Sequence, residues 1–399
     1  MFRIIWMCLA LLGIVQAQNI QEIISHSLEN HNSLKSIEQK LSGFDEEMQL
    51  SRNFQNPELS LSIGDIQFAQ PLNRSIEPMQ FTSLTLKQKI PYFGKRDASS
   101  SLVRAQKNVV YTSFEAAKTE LVKEIRLTAY TIWEYEQKLA IVKESVELIK
   151  ANVALANMYS SSGSSRHVES MSMELSLSEM KIKQSRLKSM LPSLYARLSY
   201  LAWEEIASLE IEPQADEPKS LQEYLLGLKN NKTYKENLAK TEEKNALVEL
   251  KVLDSKIDPF VSVAYFNRES FNDYMSVSVG ASLPIYSSES LKEQRARKEV
   301  LEAGFRSKDV YEKLKSSLHQ TYATLLSSYE AYKIIEDESL PELEHMLELA
   351  GSMRKNTNNL LLYTGLLEKK LALTEQKISA LASYKRSIAN IEALLGETQ

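Results

Sequence analysis

The chain has 399 residues, 43% of them hydrophobic, and a formal net charge of -4 at pH 7. So small a charge, with no dense run of Lys or Arg, argues against a nucleic-acid partner. Only 11 glycines stand among abundant Ala, Leu, Ser, Glu and Lys, which favours long helices over a sheet-rich globule.

Residues 1–17 read as a processing segment. Arg3 is a small positive n-region, "IIWMCLALLGIV" an apolar core, and "VQAQ" puts small residues before a cut after Ala17, as in a secretory signal peptide. The apolar run of about 12 residues is too short to cross ~30 Å of hydrocarbon as an anchor. Cleavage removes Arg3 and the single cysteine, Cys8, leaving a mature chain of net charge -5 without disulfide or thiol chemistry. No other stretch is apolar enough to span as a helix, so a membrane-bound form would have to use strands.

The remaining chain divides by pattern. A helical segment (18–56) precedes a β-strand pair (57–90), and a long helical hairpin (91–205) follows. A linker or equatorial segment (206–220) carries "EPQADEPKS", and then come a helical segment (221–256), a second strand pair (257–284) and a second long hairpin (285–399). The organisation is thus that of two internal repeats. Pro91 and Pro284 stand 193 residues apart, and the same offset carries "TAYTIWEYE" (128–136) onto the stretch starting at Thr321 and "ARLSYLAWE" (196–204) onto "ANIEALLGE" (389–397).

The first strand candidate, "PELSLSIGDI" (57–66), sets Leu59, Leu61 and Ile63 against Ser60, Ser62 and Gly64; the second, at 80–90, sets Leu84 and Leu86 against Thr85 and Lys87. In the first hairpin, apolar or small residues recur at Val110, Phe114, Ala117, Leu121, Ile125 and Thr128, and on through Ile132, Tyr135, Leu139, Val142, Val146, Ile149, Val153 and Ala156. Steps of three and four average about 3.5 residues, the period of a left-handed coiled coil. A helix from about 95 to 160 would be ~100 Å long. "SSSGSS" (160–165) turns it, and "RKNTNN" (354–359) is the matching break in the second hairpin, where Pro341 is expected to kink or break the outgoing helix. In the second strand pair (259–266 and 274–283), Met275, Val277 and Val279 oppose Ser276, Ser278 and Gly280.

One greasy face and one small polar face suit transmembrane barrel strands of about ten residues. Phe68, Phe81, Tyr92, Phe93, Tyr265, Phe266, Tyr274 and Tyr286 near strand ends would form an aromatic girdle. Four strands cannot close a barrel and an open edge cannot face lipid, so membrane residence requires several copies; three would supply a twelve-stranded barrel.

The signal peptide, the two strand pairs, "IPYFGKR" entering a long helix and the second "LP" at the matching site make the sequence resemble the TolC-like outer-membrane efflux proteins, most closely their heavy-metal and drug branch. The resemblance implies a mainly α fold with a small β part, in which long antiparallel coiled-coil hairpins build an α-barrel and a homotrimer completes the β-barrel. It implies an exit duct for small toxic solutes or metal ions, resident in the outer membrane with a periplasmic extension. The duct would be joined by a periplasmic adaptor to an inner-membrane pump of the proton-driven resistance-nodulation-division type. Protein secretion of type I is the alternative within the family; a secreted soluble coiled-coil scaffold and an enzyme with a helical substrate domain are the alternatives outside it.

At each helix break the family carries a "Y-x-x-G" signature with acidic residues after it. Tyr159 and Gly163 approximate the first, one residue wider, followed by Glu169 and Glu174 as candidate pore-entrance acids. The second departs: Asn356 stands where glycine is expected, and Leu362 and Gly365 stand near the acidic positions. Ser162, Gly163, Asn356, Thr357 and Asn358 are candidate entrance or adaptor contacts. Pro91, Gly94, Lys95, Arg96 and Pro284 are candidates for the strand-to-helix corners. Leu59, Leu61, Ile63, Leu84, Leu86, Met275, Val277 and Val279 are the expected lipid contacts. No catalytic, cofactor or metal residues are expected. His26, His31, His167, His319 and His345 are scattered and read as solvated surface. Met158, Met171 and Met173 could meet a soft ion but more commonly such residues fill a coiled-coil seam.

Overall fold

The computed structural model describes residues 18–159, 164–352 and 357–398, with side chains described outside 155–170 and 352–361. These residues form two compact units, one from 18–35, 115–232 and 313–398, the other from 36–114 and 233–312.

The first unit is helical. Its first helix, α1 (Ile20–Asn30), starts at a capping box: Asn19 accepts from the Gln21 N–H while Glu22 reaches back to the Asn19 N–H. The two-residue strand β1 (Gln18–Asn19) pairs in parallel with β4 (Leu209–Glu210) in the linker. Ser27 ties α1 to the end of α4 (Ser164–Ala202), its hydroxyl donating to the Leu201 carbonyl at 2.6 Å.

The unit's core runs along α3 (Lys95–Tyr159), a single helix of 65 residues. Leu121, Ile125, Thr128, Ile132, Leu139, Val142, Val146, Ile149 and Val153 are all buried, as their spacing predicts. Val142 and Val146 pack on Leu371 of α9 (Thr357–Leu395), and Ile149 and Val153 pack on Met173 of α4. Burying each such aliphatic side chain stabilises the seam by about 1.5–3 kcal/mol. Met173 therefore fills a gap between helices, whereas Met171 is exposed; Met158 lies among the undescribed side chains.

Ion pairs bind α3 to α9 beside this seam. Arg126 pairs with Glu392, and Glu134 accepts from Arg386 at 2.7 Å and from Lys138 at 2.6 Å. Burial opposes ionisation of Glu134, but the hydrogen bonds from Lys138 and Arg386 outweigh it and hold the carboxyl below its usual range. Pro341 neither breaks nor ends its helical run. A π turn (Ile335–Ser339) joins α7 (Ser288–Ile334) to α8 (Leu340–Ser352), and the Leu340 N–H bonds back to Ile335. The five-residue step loosens the ladder just where the proline ring would clash with it.

The second unit holds the sheet. Strands β2 (Glu58–Gly64), β3 (Phe81–Lys89), β5 (Pro259–Asn267) and β6 (Tyr274–Ala281) are antiparallel in the order β2-β3-β5-β6, leaving β2 and β6 as edges. Helices flank it. Within this unit α2 (Asn32–Arg52) meets the start of α3 through Asp45–Lys107 at 2.6 Å and Arg52 Nε to Ser100 Oγ at 3.1 Å. Helix α6 (Lys232–Asp254) meets α7 through Lys244–Glu299 at 3.2 Å and the Tyr234–Tyr311 rings at 5.2 Å.

Candidate functional site: sheet faces, corners and helix breaks

Register turns the alternation of each strand into two continuous faces. One row runs Leu61–Leu84–Tyr265–Met275 across all four strands, the next runs Leu59–Leu86–Val263–Val277, and Ile63 and the Val261–Val279 pair extend the face at its two ends. Apart from the half-buried Val261, these side chains are uncovered by the described residues, from 37% exposed at Val263 to 74% at Val279. An apolar patch of this extent marks a surface made for a partner or a membrane. Val261, Val263 and Tyr265 were not among the expected lipid contacts, although "VSVAYF" carries the same alternation.

The opposite face is small and polar. Ser60, Thr85, Ala264 and Ser276 form one row, and Glu58, Lys87, Ser262 and Ser278 the next. Glu58 pairs with Lys87 at 3.5 Å and Lys89 at 3.1 Å. Of the expected aromatic girdle, Tyr265 is on the apolar face, and Phe68, Tyr92, Phe93 and Tyr286 are exposed beyond the strand ends. Phe81, Phe266 and Tyr274 share the serine face, edge to face at 5.0 Å and stacked at 4.6 Å. Their positions keep step with Ser83, Ser262 and Ser276, which is the reason. Gly64 and Gly280 make room for aromatic rings lying flat on that face: a Cβ there would stand 2.3 Å from Phe81 and 2.4 Å from Phe260.

The first strand-to-helix corner is bolted by a residue that sequence reading missed. Asp258 accepts from the Tyr92 N–H at 2.7 Å through one oxygen and from Lys95 Nζ at 2.7 Å through the other. Lys95 is buried and also donates to the Lys256 carbonyl at 3.1 Å. Arg96 lies over the Phe54 ring at 4.0 Å and donates to the Arg52 carbonyl at 3.1 Å. Lys95 thus serves the interior of the corner, and Arg96 holds its exposed surface. Past Pro91, Gly94 turns the chain at φ 87, a conformation costly to a residue with a Cβ. The second corner repeats the step: past Pro284, which closes a tight turn from the Ile285 N–H to the Leu283 carbonyl at 2.9 Å, Ser287 has φ 57. Gly94 and Ser287 are 193 residues apart, as the two prolines are.

Long helical runs entering and leaving a four-stranded sheet of this kind occur in solved proteins. The Campylobacter jejuni CmeC outer membrane channel is 14% identical, with a TM-score of 0.73 over 95% of this chain and 86% of that one. The open state of the Neisseria gonorrhoeae MtrE outer membrane channel is 12% identical, with a TM-score of 0.76 over 95% and 89%. The outer membrane protein VceC of Vibrio cholerae is 14% identical, with a TM-score of 0.72 over 95% and 97%. The chain has the fold of a TolC-like outer-membrane channel. No protein-family model matches the sequence, and no curated protein does.

At the helix breaks of this channel fold, Ser162, Gly163 and Asn356 lie outside the described residues. Glu169, Thr357 and Asn358 are on described helix backbone, but their side chains lie outside the description. Glu174 is exposed on α4, Leu362 is exposed on α9, and Gly365 has open space around it. One described tie near the breaks was not revealed by the sequence: Asn152 of α3 donates to Thr364 Oγ1 of α9 at 3.3 Å, both buried. Between the same helices lies a cleft of about 230 Å³ lined by Ile141, Ser145, Leu148, Leu367 and Lys370.

Among the described residues no group of His, Cys, Asp or Glu could hold a metal ion, and no helix is long and apolar enough to cross a membrane. His31 departs from the expected solvated surface. It is buried against the edges of Tyr200 and Trp203 at 5.7 and 5.5 Å, with Nδ1 2.7 Å from the Ser33 hydroxyl, and burial pushes its pKa down. The tryptophan and tyrosine that enclose it come from the end of α4, more than a hundred residues away, so no local pattern foretells the burial.

Proposed function

We propose that this chain is one subunit of a homotrimeric exit duct in the outer membrane of a Gram-negative bacterium. The duct takes small toxic solutes or metal ions from an inner-membrane pump and a periplasmic adaptor. One observation carries the reading: a four-stranded sheet with a continuous uncovered apolar face, a serine-rich opposite face and two unpaired edges. In lipid each edge must find a partner strand, and a four-stranded sheet finds it in another copy. The apolar face then meets outer-membrane lipid, and the serine face, with its flattened aromatic rings, lines a water-filled lumen. Transport through such a lumen is passive and needs no catalytic group. Lys95 and Arg96 fix the corner where strand becomes helix, and Glu169 and Glu174 line the entrance near the first helix break.

The decisive experiment fractionates the envelope of cells expressing the full chain, then crosslinks the detergent-extracted protein. A trimer in the outer-membrane fraction that conducts ions in planar bilayers is the expected result. A detergent-independent monomer in the soluble fraction overturns the proposal and favours the coiled-coil scaffold.

A further inference from the structure

The loop joining β2 to β3, residues 65–80, has no regular secondary structure, yet its backbone is pinned from within. Gln80 is 1% exposed. Its Oε1 accepts from the Ile76 and Glu77 N–H groups at 2.9 and 3.2 Å, and its Nε2 donates to the Asn73 and Asp65 carbonyls at 3.0 and 3.3 Å. One amide therefore uses its full hydrogen-bonding capacity on four backbone groups of a single loop. Arg74 adds bonds to the carbonyls of Asp65 at 3.2 Å, Phe81 at 2.9 Å and Gly64. This scaffold holds Phe68 and Leu72 almost wholly in the open, at 97% and 93% exposure. A floppy loop could fold such side chains away; one pinned at both ends and through its middle presents them at a fixed place.

Topology says what stands beside them. The loop leaves β2, one edge of the sheet, and the hairpin loop 268–273 enters β6, the other edge. Both lie at the same end of the sheet, where Gly64 pairs with Phe81 and Phe266 pairs with Tyr274. If β2 of one copy pairs with β6 of the next, as the proposed trimer requires, these two loops become neighbours across the copy boundary. The hairpin offers an apolar and cationic surface: Arg268 lies over the rings of Phe271 at 5.7 Å and Tyr274 at 5.2 Å, and its guanidinium Nε is held by the Asn272 carbonyl at 2.9 Å.

We propose that Phe68 and Leu72 of one copy seat on the Arg268–Phe271–Tyr274 cluster of a second copy, closing a collar around the end of the barrel remote from the helices. The occupant of this surface is the chain itself. The inference rests on the oligomeric reading above, and its test separates the two. Because Cys8 lies in the expected signal peptide, introduced cysteines report alone. The double variant Leu72→Cys/Phe271→Cys, oxidised in intact membranes, should run on a non-reducing gel as a ladder ending at the trimer. A control double variant, Ser60→Cys/Ser278→Cys, joined by a short bis-maleimide, reports edge pairing of β2 with β6. A control ladder without a loop ladder overturns the collar and leaves the oligomer standing. Absence of both ladders overturns the oligomer and the collar with it. A disulfide within one copy, found by peptide mapping, overturns the collar, as does a Leu72→Cys that is shielded from aqueous maleimide by lipid without crosslinking. As a second measurement, Phe68→Ser/Leu72→Ser should lower the temperature at which the trimer dissociates on a gel by about 10 °C; an unchanged temperature counts against the collar.

Discussion

Two apolar surfaces of this molecule are built from similar residues and meet opposite fates. Along α3, Ile125, Ile132 and Val142 are fully buried, and Val142 packs on Leu371 of α9 beside Leu177 and Leu187 of α4. Across the sheet, Leu61, Val277 and Val279 stand open, because nothing among the described residues covers them. The first surface stabilises the subunit by itself. The second stabilises nothing until lipid or another molecule arrives. The contrast separates what the sequence spends on its own fold from what it reserves for its surroundings.

That comparison can be broken in order of expected effect. Ile132→Ala opens a cavity in the helical seam and should cost about 2–5 kcal/mol, read as a lowered midpoint in denaturant with circular dichroism of the detergent-solubilised chain; Leu61→Ala should leave that midpoint within about 0.5 kcal/mol. Leu61→Lys reverses the asymmetry. A cation on the lipid face costs about 2–4 kcal/mol at mid-bilayer, so outer-membrane yield should collapse while helix content stays native; normal yield would remove the lipid assignment. Asp258→Ala strips the acceptor from Lys95 and Tyr92 at the corner and should cost about 1–3 kcal/mol, partly restored by Asp258→Asn, which keeps an acceptor for the Tyr92 N–H.

A pH series sharpens the seam further. Glu134 has its carboxyl pKa lowered in the folded chain from 4.5, so its ion pairs contribute fully above that value and are lost as pH falls through the lower folded value. Denaturant midpoints measured from pH 6 downward should fall more steeply below about pH 4.5 in the native protein than in Glu134→Gln. The smallest effect belongs to the entrance acids: Glu169→Gln should reduce cation selectivity of reconstituted trimers modestly, and unchanged selectivity would take Glu169 off the pore entrance.

Much of this architecture was legible in one dimension because it is periodic. A period of two fixed the strand faces, and the same parity assigns Phe81, Phe266 and Tyr274 to the serine side; their place near strand ends suggested a girdle only while parity was ignored. A period near 3.5 fixed the buried stripe of α3. The left-handed residue of the first corner was foreshadowed by Gly94, but nothing in "LPIYSSES" singles out Ser287. The π turn ahead of Pro341 was equally hidden, since the proline announces a defect without naming the geometry that absorbs it.

By itself, then, the sequence determined which residues are apolar on one side of the strands and along α3. Those are properties of neighbours along the chain, and local sterics and solvation dictate them. Only the tertiary structure decided that Asp258 would anchor Lys95, that Asn152 would meet Thr364, that His31 would be enclosed by Tyr200 and Trp203, and that Gln80 would lock its loop. Such pairings need a hydrogen-bond geometry correct to a few tenths of an ångström between groups that the chain brings together only after its periodic elements have packed.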